Sequence, residues 1–343
     1  MTNGSAAPVS GEHDGPAPLR CVSPDDAGAA PALPTAGRLP VRDMIDAARA
    51  RVVGRVRESE VIAAALAAGR SVLLEGPPGT GKTTLLRALA EGAGVGLELV
   101  EGNAELSPAR LVGHHDPSRV LTEDYRPDNF VPGPLVRALT SGALLYVEEL
   151  NRVPEETLNV LLGVLSERRL HVPRLGIVDA APSFRLVAAM NPSDAVGTGR
   201  ITPALYDRSC RVGFAHQSAD EETAIVRRDH SPVDAGFVER AVRAARATRE
   251  HPDLRLGSSV RGALDLVAVA ASLAELRSVP LAGRLAPAAE TTGTDAALAA
   301  LTGRVQLLEG STRTVEDVVA ELWAASAPAD ESTGSADGDP GKA

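Results

Sequence analysis

One stretch constrains this chain more than any other: Gly76-Pro77-Pro78-Gly79-Thr80-Gly81-Lys82-Thr83. It reads G-x-x-x-x-G-K-[ST], the phosphate-binding loop pattern. The apolar run Ser71-Val72-Leu73-Leu74-Glu75 precedes it and predicts a buried parallel strand. Thr84 to Ala90 follows with helical spacing. Strand, glycine loop and helix together are the context the motif requires. Glycines let backbone N–H groups curl around phosphates, and the helix N-terminus adds the positive end of its dipole. The bland alternative is a Gly-rich turn with no ligand, and the full pattern in this context disfavours it. The expected phosphate-site residues are Gly76, Pro77, Pro78, Gly79, Thr80, Gly81, Lys82, Thr83 and Thr84. Lys82 would reach the β- and γ-phosphates, and the Thr83 hydroxyl would ligate Mg²⁺.

A second signal is Ala143-Leu144-Leu145-Tyr146-Val147-Glu148-Glu149, an apolar strand ending in two acids. In P-loop enzymes a strand next to the P-loop strand carries such carboxylates at its C-terminal end, where open α/β sheets bind ligands. Glu148 is the expected magnesium partner, acting through the ion's water shell. Glu149 is the expected catalytic carboxylate, polarising the water that attacks the γ-phosphate. Phe184 to Met190 reads as another core strand, and it stops at Asn191-Pro192. Asn191 is either a turn residue before proline or a side chain that senses the γ-phosphate and orients the water. Val52-Val53-Gly54 is either a plain turn or a backbone shelf for the base, which puts Val53 and Gly54 among the candidate nucleotide contacts.

The remaining segments are read from periodicity. Short helices are expected at Met44 to Arg51 and Glu58 to Ala68, and a strand at Val95 to Val100. Leu106 to Gly113 reads as a helix. His114 to Pro134 is long for a connection and reads as a functional excursion or a hairpin. The adjacent His114 and His115 lack the spacing of a helical metal pair. Asn151 to Arg168 reads as a helix, followed by a hairpin whose arms, Leu170 to Pro173 and Gly176 to Val178, are joined by Arg174-Leu175. From Ser218 to Trp323 the pattern is helical, clearest at Glu221 to His230, Ala235 to Glu250, Val260 to Ala274 and Thr314 to Ala324. Ala286 to Thr294, rich in Pro, Ala and Thr, reads as a flexible loop inside that region.

Composition excludes several classes. The net charge of -10 argues against a nucleic-acid or anionic-membrane surface as the main partner. Aromatics make up 2% of the chain, too few for base-stacking platforms. Cys21 and Cys210 form no metal spacing and suggest a reducing compartment. No apolar run approaches the ~18 residues of a membrane span, and the N-terminus lacks a secretory pattern. A cytoplasmic protein is the expectation.

With these residues in hand, the chain from about Val52 to Trp323 resembles an AAA+ ATPase of the MoxR type, within the P-loop NTPase superfamily. The resemblance rests on Val53-Gly54, GPPGTGKT, Phe130-x-x-Gly133-Pro134-Leu135, and Val147-Glu148-Glu149-Leu150-Asn151-Arg152-Val153-Pro154. Ala189-Met190-Asn191-Pro192 is similar to the sensor-1 strand end. Leu205-Tyr206-Asp207-Arg208 is similar to the segment that gives an arginine finger to the neighbouring subunit. Leu256-Gly257-Ser258-Ser259-Val260-Arg261-Gly262-Ala263 resembles the start of the sensor-2 helix in the lid. A guanidinium suits both arginine roles because its donors match phosphoryl oxygens. The family usually has Asp-Glu where this chain has Glu148-Glu149, and Phe after the finger arginine where this chain has Ser209. The second departure leaves Arg200 and Arg211 as rival fingers.

The resemblance implies an α/β fold, with a parallel-sheet P-loop core at residues 41–217 and a small all-α lid at 218–324. Segments 1–40 and 325–343 are expected to be disordered from their composition. The resemblance further implies ATP hydrolysis with Mg²⁺ in a homo-oligomeric ring, commonly a hexamer. The expected partners are a von Willebrand factor A-domain protein and a protein client, with neither membrane nor nucleic acid. A gas-vesicle or other assembly-accessory ATPase, or a nucleotide-gated binding module with little turnover, are the alternatives. GTP is not excluded, because the base shelf in this family is made of backbone.

Overall fold

The computed structural model describes residues 37–192, 203–230, 233–282 and 286–328. The chain opens with helices α1 (Val41–Arg51) and α2 (Val56–Ala67), which lead into strand β1 (Ser71–Glu75). Helix α3 (Lys82–Gly92) follows the glycine loop, then strand β2 (Leu97–Glu101) and a single turn of helix, α4 (Pro108–Val112). The helix expected at Leu106 to Gly113 is therefore shorter. Ser107 caps it, and Gly113 leaves it with φ 120 to begin a strand.

The excursion that follows is a ribbon with a helix in its loop. Strands β3 (Gly113–His115) and β4 (Phe130–Pro132) pair antiparallel around helix α5 (Pro117–Glu123). Helix α6 (Pro134–Ser141) starts on a proline at N1 and ends on Gly142 in the left-handed region, so sequence chemistry sets both ends. Strand β5 (Leu144–Glu148), helix α7 (Glu155–Glu167), the hairpin β6 (Arg169–Val172) and β7 (Gly176–Asp179), and strand β8 (Arg185–Met190) come next. Helix α8 (Pro203–Asp207) leads into strand β9 (Ser209–Gly213).

The central sheet is five-stranded and parallel, in the order β2-β5-β8-β1-β9. This corrects the expectation that the acidic strand neighbours the P-loop strand: β8 lies between them. β9 was not anticipated from the sequence. Its short run Ser209-Cys210-Arg211-Val212-Gly213 mixes polar and apolar residues, as an outer strand with a partner on one side does.

Successive side chains of the sheet enter two cores, as the period-2 geometry of a strand requires. Leu73, Leu145, Val147, Leu186 and Ala188 pack on one side with α6 and α7. Val72, Leu74, Tyr146, Val187 and Val212 pack on the other with α1, α2 and α3. Both faces are covered, which is why β8 is buried along its whole length.

From Ser218 the chain turns helical: α9 (Ala219–Asp229), α10 (Ala235–Ala247), α11 (Val260–Arg277), α12 (Pro287–Leu301) and α13 (Val315–Ala325). Ser218 and Glu221 form a reciprocal capping box at α9. These helices bury a separate core around Phe237, Leu266, Leu301 and Trp323. Two expectations need correction. Ala286 to Thr294 is not a loop but the first half of α12. Pro287 takes the first helical turn, and Ala289, Thr292, Ala296 and Ala297 are buried. Small side chains let the helix pack close against its neighbours, and that packing overrides modest propensity. The lid also holds a two-stranded antiparallel ribbon, β10 (Leu254–Leu256) and β11 (Gln306–Leu307).

Candidate functional site

The C-terminal ends of β1, β5 and β8 meet at one edge of the sheet. Register places Glu75 beside Met190, and Glu148 beside Glu101 on β2. The Gly76 amide donates to the Met190 carbonyl at 3.2 Å, so the glycine loop springs directly from this edge. Gly79 and Gly81 sit in the left-handed region at φ 72 and 82, where a side chain would be strained. Thr80 is buried, and its hydroxyl closes the loop by donating to the Pro77 carbonyl at 3.0 Å. One cavity is lined by loop residues from Gly76 and Pro78 to Thr84 together with Tyr146, Glu148, Glu149, Asn191 and Arg261. Segments far apart in sequence thus converge on the loop.

Lys82 turns toward the loop backbone. Its Nζ donates to the carbonyls of Pro77 at 2.8 Å and Gly76 at 3.0 Å. Burial is the main reason its pKa falls to about 8; Glu148 opposes this, while Arg55 and Arg261 add to it. The Thr83 hydroxyl donates to Glu148 Oε1, and the Tyr146 hydroxyl donates to the same oxygen at 2.9 Å. One hydroxyl and one carboxylate beside a phosphate loop fit Mg²⁺, which keeps several waters and takes few protein ligands. Bound there, the ion would be held by Thr83 and Glu148 and would neutralise phosphate charge.

Glu149 stands at the strand end with φ 48 and ψ 44, a left-handed conformation that is uncommon for a glutamate. Strain of this kind gathers at functional sites. Its carboxylate pairs with Arg152 at 3.0 Å. Asn191 is half-buried at the end of β8. Arg261 is exposed at the start of α11 and reaches the cavity from the lid.

A second cavity of about 300 Å³ opens between core and lid, lined in part by Val53, Gly81, Thr84, Gln217 and Arg261. The Val53 carbonyl accepts from Gln217 Nε2 at 2.6 Å. Gly54 lies at φ 68, and a Cβ there would strike the Glu221 carboxylate of the α9 capping box. Val53-Gly54 is therefore the place where the core touches the base of the lid.

Two of the expected or rival arginines, Arg208 and Arg211, fall elsewhere. Arg208 lies outside the lining of its own chain's cavity. Its guanidinium donates to Ser166 Oγ at 2.9 Å and to the Ala204 carbonyl at 3.0 Å. Arg211 pairs with the buried Glu75 of its own chain. Arg200 lies outside the described residues.

Sequence reasoning missed Arg55. It starts α2 at φ 60, with a side chain only 5% exposed. Its guanidinium donates to the Thr80 carbonyl at 3.1 Å, the Ala215 carbonyl at 2.6 Å and Glu58 at 2.9 Å, and it stacks over Phe214. It clamps the loop, α2 and the exit from β9. Gln217 was missed too. Neither was given a role from its sequence context, and the backbone carbonyls that both engage are remote in sequence.

A parallel sheet with a P-loop at its C-terminal edge, followed by a helical lid, is the AAA+ arrangement of the P-loop fold. The family profile agrees over the part of the core that it covers. The family profile described as "AAA domain (dynein-related subfamily)" matches residues 71–209. An uncharacterized protein of Staphylococcus epidermidis is 28% identical over 203 residues, 57% of this chain and 76% of that protein. An uncharacterized protein of Staphylococcus aureus is 36% identical over 141 residues, 40% of this chain. The match spans about half, 53%, of the S. aureus protein's length. Among solved structures, a candidate ATPase of Cytophaga hutchinsonii is similar with a TM-score of 0.46 at 19% identity, covering 82% of this chain and 92% of that one. No helix among the described residues is long and apolar enough to cross a membrane.

Proposed function

We propose that the protein is an ATP-hydrolysing remodelling ATPase of the MoxR type, working with Mg²⁺ as a homo-oligomeric ring. The observation that carries this reading is the single cavity shared by Lys82, Thr83, Glu148, Glu149, Asn191 and Arg261. Each has a role the chemistry requires. Lys82 and the loop amides hold the phosphates. Thr83 and Glu148 hold the hydrated ion. Glu149 leaves Arg152 to polarise the attacking water, which Asn191 orients beside the γ-phosphate. Arg261 brings the lid down on the nucleotide, with Val53 and Gly54 against the base. Arg208 lies outside its own chain's cavity, which suits a guanidinium that completes the site of a neighbouring copy. Hydrolysis then requires the ring.

The MoxR resemblance extends the proposal to a protein client and a von Willebrand factor A-domain partner, in maturation or cofactor insertion of a complex. The test is co-purification on tagged Glu149→Gln in ATP and Mg²⁺, with Lys82→Ala as control, alongside mass measurement of the assembly. The expected result is a hexamer-sized particle, and a partner retained only by Glu149→Gln. A monomer under all nucleotide conditions contradicts the ring. Shell proteins of a vesicle in place of a von Willebrand factor A-domain protein would favour the assembly-accessory alternative.

A further inference from the structure

Tyr146 occupies a place where a phenylalanine would meet every packing need. It is fully buried in the middle of β5, between its register partners Leu99 and Val187. Its ring belongs to the core formed with α1, α2 and α3. A buried hydroxyl costs free energy unless it finds a partner. The Tyr146 hydroxyl donates to Glu148 Oε1 at 2.9 Å and is also hydrogen-bonded with the Thr83 side chain. Residues two apart on a strand share a face, so the tyrosine stands beneath the glutamate on the side from which Thr83 approaches.

Thr83 donates to the same Oε1. A cation at this site takes a lone pair of the Thr83 oxygen and leaves its proton free to donate to Glu148. The phenol is a second donor to the same carboxylate oxygen, from the core side of the strand. The glutamate side chain also has one more rotatable bond than an aspartate, and hence more freedom to lose on ordering.

We propose that Tyr146 is a positioning residue for the divalent cation: its phenol pins Glu148 Oε1 against Thr83, and so lets a glutamate serve at this position. The inference rests on the reading of the cavity as a magnesium-nucleotide site. It makes a specific claim about two residues. In Glu148→Asp the carboxylate retreats by about one bond length, ~1.5 Å, and leaves the reach of the phenol. The hydroxyl should therefore matter when residue 148 is glutamate and lose its effect when it is aspartate.

The experiment uses the full chain as wild type, Tyr146→Phe, Glu148→Asp and the double variant. Each is loaded with a fluorescent ADP analogue and titrated with Mg²⁺, then with Mn²⁺. The readout is the cation concentration at half-effect, not turnover. Tyr146→Phe is expected to raise it about tenfold in the parent, the scale of one hydrogen bond to a charged group. In the Glu148→Asp background the same change is expected to move it less than about twofold. Circular dichroism melts check that the variants fold, which the fit of phenylalanine at a core position supports. Equal shifts in both backgrounds, or no shift in the parent, overturn the proposal. If the parent binds the analogue without any cation effect, the magnesium-site reading fails and takes this proposal with it. A cation effect in the parent that Tyr146→Phe leaves unmoved sinks the Tyr146 role alone.

Discussion

Arg55→Ala tests how much of the phosphate loop is held from outside the motif. The wild-type guanidinium is 5% exposed and satisfies two backbone carbonyls, those of Thr80 and Ala215. Truncation leaves both without that donor. A buried polar group that loses its partner costs about 1–3 kcal/mol, so the two together cost about 2–6 kcal/mol. The ion pair with Glu58 contributes to that cost, since the carboxylate is only 17% exposed and loses its cation. The stack over Phe214, 5.1 Å from the ring centroid, adds about 0.5–1 kcal/mol. We expect a destabilisation of about 3–5 kcal/mol, similar to breaking a buried charge pair. Arg55 also sits at φ 60, so Arg55→Gly should recover about 1 kcal/mol relative to alanine by relieving the left-handed backbone. Urea unfolding followed by far-UV circular dichroism measures all three proteins. A loss below about 1 kcal/mol for Arg55→Ala, or glycine no better than alanine, would refute the clamp.

Further expectations follow from the same geometry. Because burial lowers the Lys82 pKa to about 8, and phosphates favour its charged form, nucleotide affinity should hold below pH 8. It should weaken above pH 8 by up to about tenfold per pH unit, with proton uptake visible by calorimetry in buffers of different ionisation enthalpy. Lys82→Arg should abolish that uptake. At Gly79, with φ 72, a Cβ would strike the Ser259 hydroxyl of the lid. Gly79→Ala should therefore hold the lid open and weaken nucleotide binding about tenfold or more, with partial recovery in Gly79→Ala/Ser259→Gly. Glu222 is 2% exposed and pairs with Arg249 at 2.8 Å and Arg246 at 3.3 Å. Arg246 in turn donates to the Gln217 carbonyl at 2.8 Å, and Gln217 to Val53. Glu222→Gln leaves two arginines facing a neutral amide. It should lower lid stability by about 3 kcal/mol, seen as an earlier melting transition of the helical part.

Local chemistry explains what could be read from the sequence. The glycine loop, its strand and its helix are contiguous, so Gly76 to Thr83 carried its own context. The helical pattern at Glu221 to His230 was legible as well, although its cap at Ser218 was not read from the sequence. What escaped depends on tertiary partners. β9 becomes a strand by pairing along β1, and its sequence alone has no sustained apolar run. α12 hides behind Pro, Thr and Gly, yet its alanines sit at the spacing that packs it into the lid core. The insertion of β8 between β1 and β5 is a matter of strand order, which no local pattern encodes. Arg55 and Gln217 act through atoms brought close only by the fold. Glu148 stood out as a departure from aspartate, but the phenol beneath it was visible only in three dimensions.

The most direct test of the central claim is ATP turnover by the purified full-length chain with Mg²⁺, compared with Glu149→Gln and Lys82→Ala, with nucleotide binding measured on all three. Measurable turnover is expected in the parent. Glu149→Gln should bind ATP normally and turn it over at least about a hundredfold more slowly, the contribution of a positioned general base. Lys82→Ala should lose both binding and turnover. Equal turnover in the parent and Glu149→Gln would contradict the account.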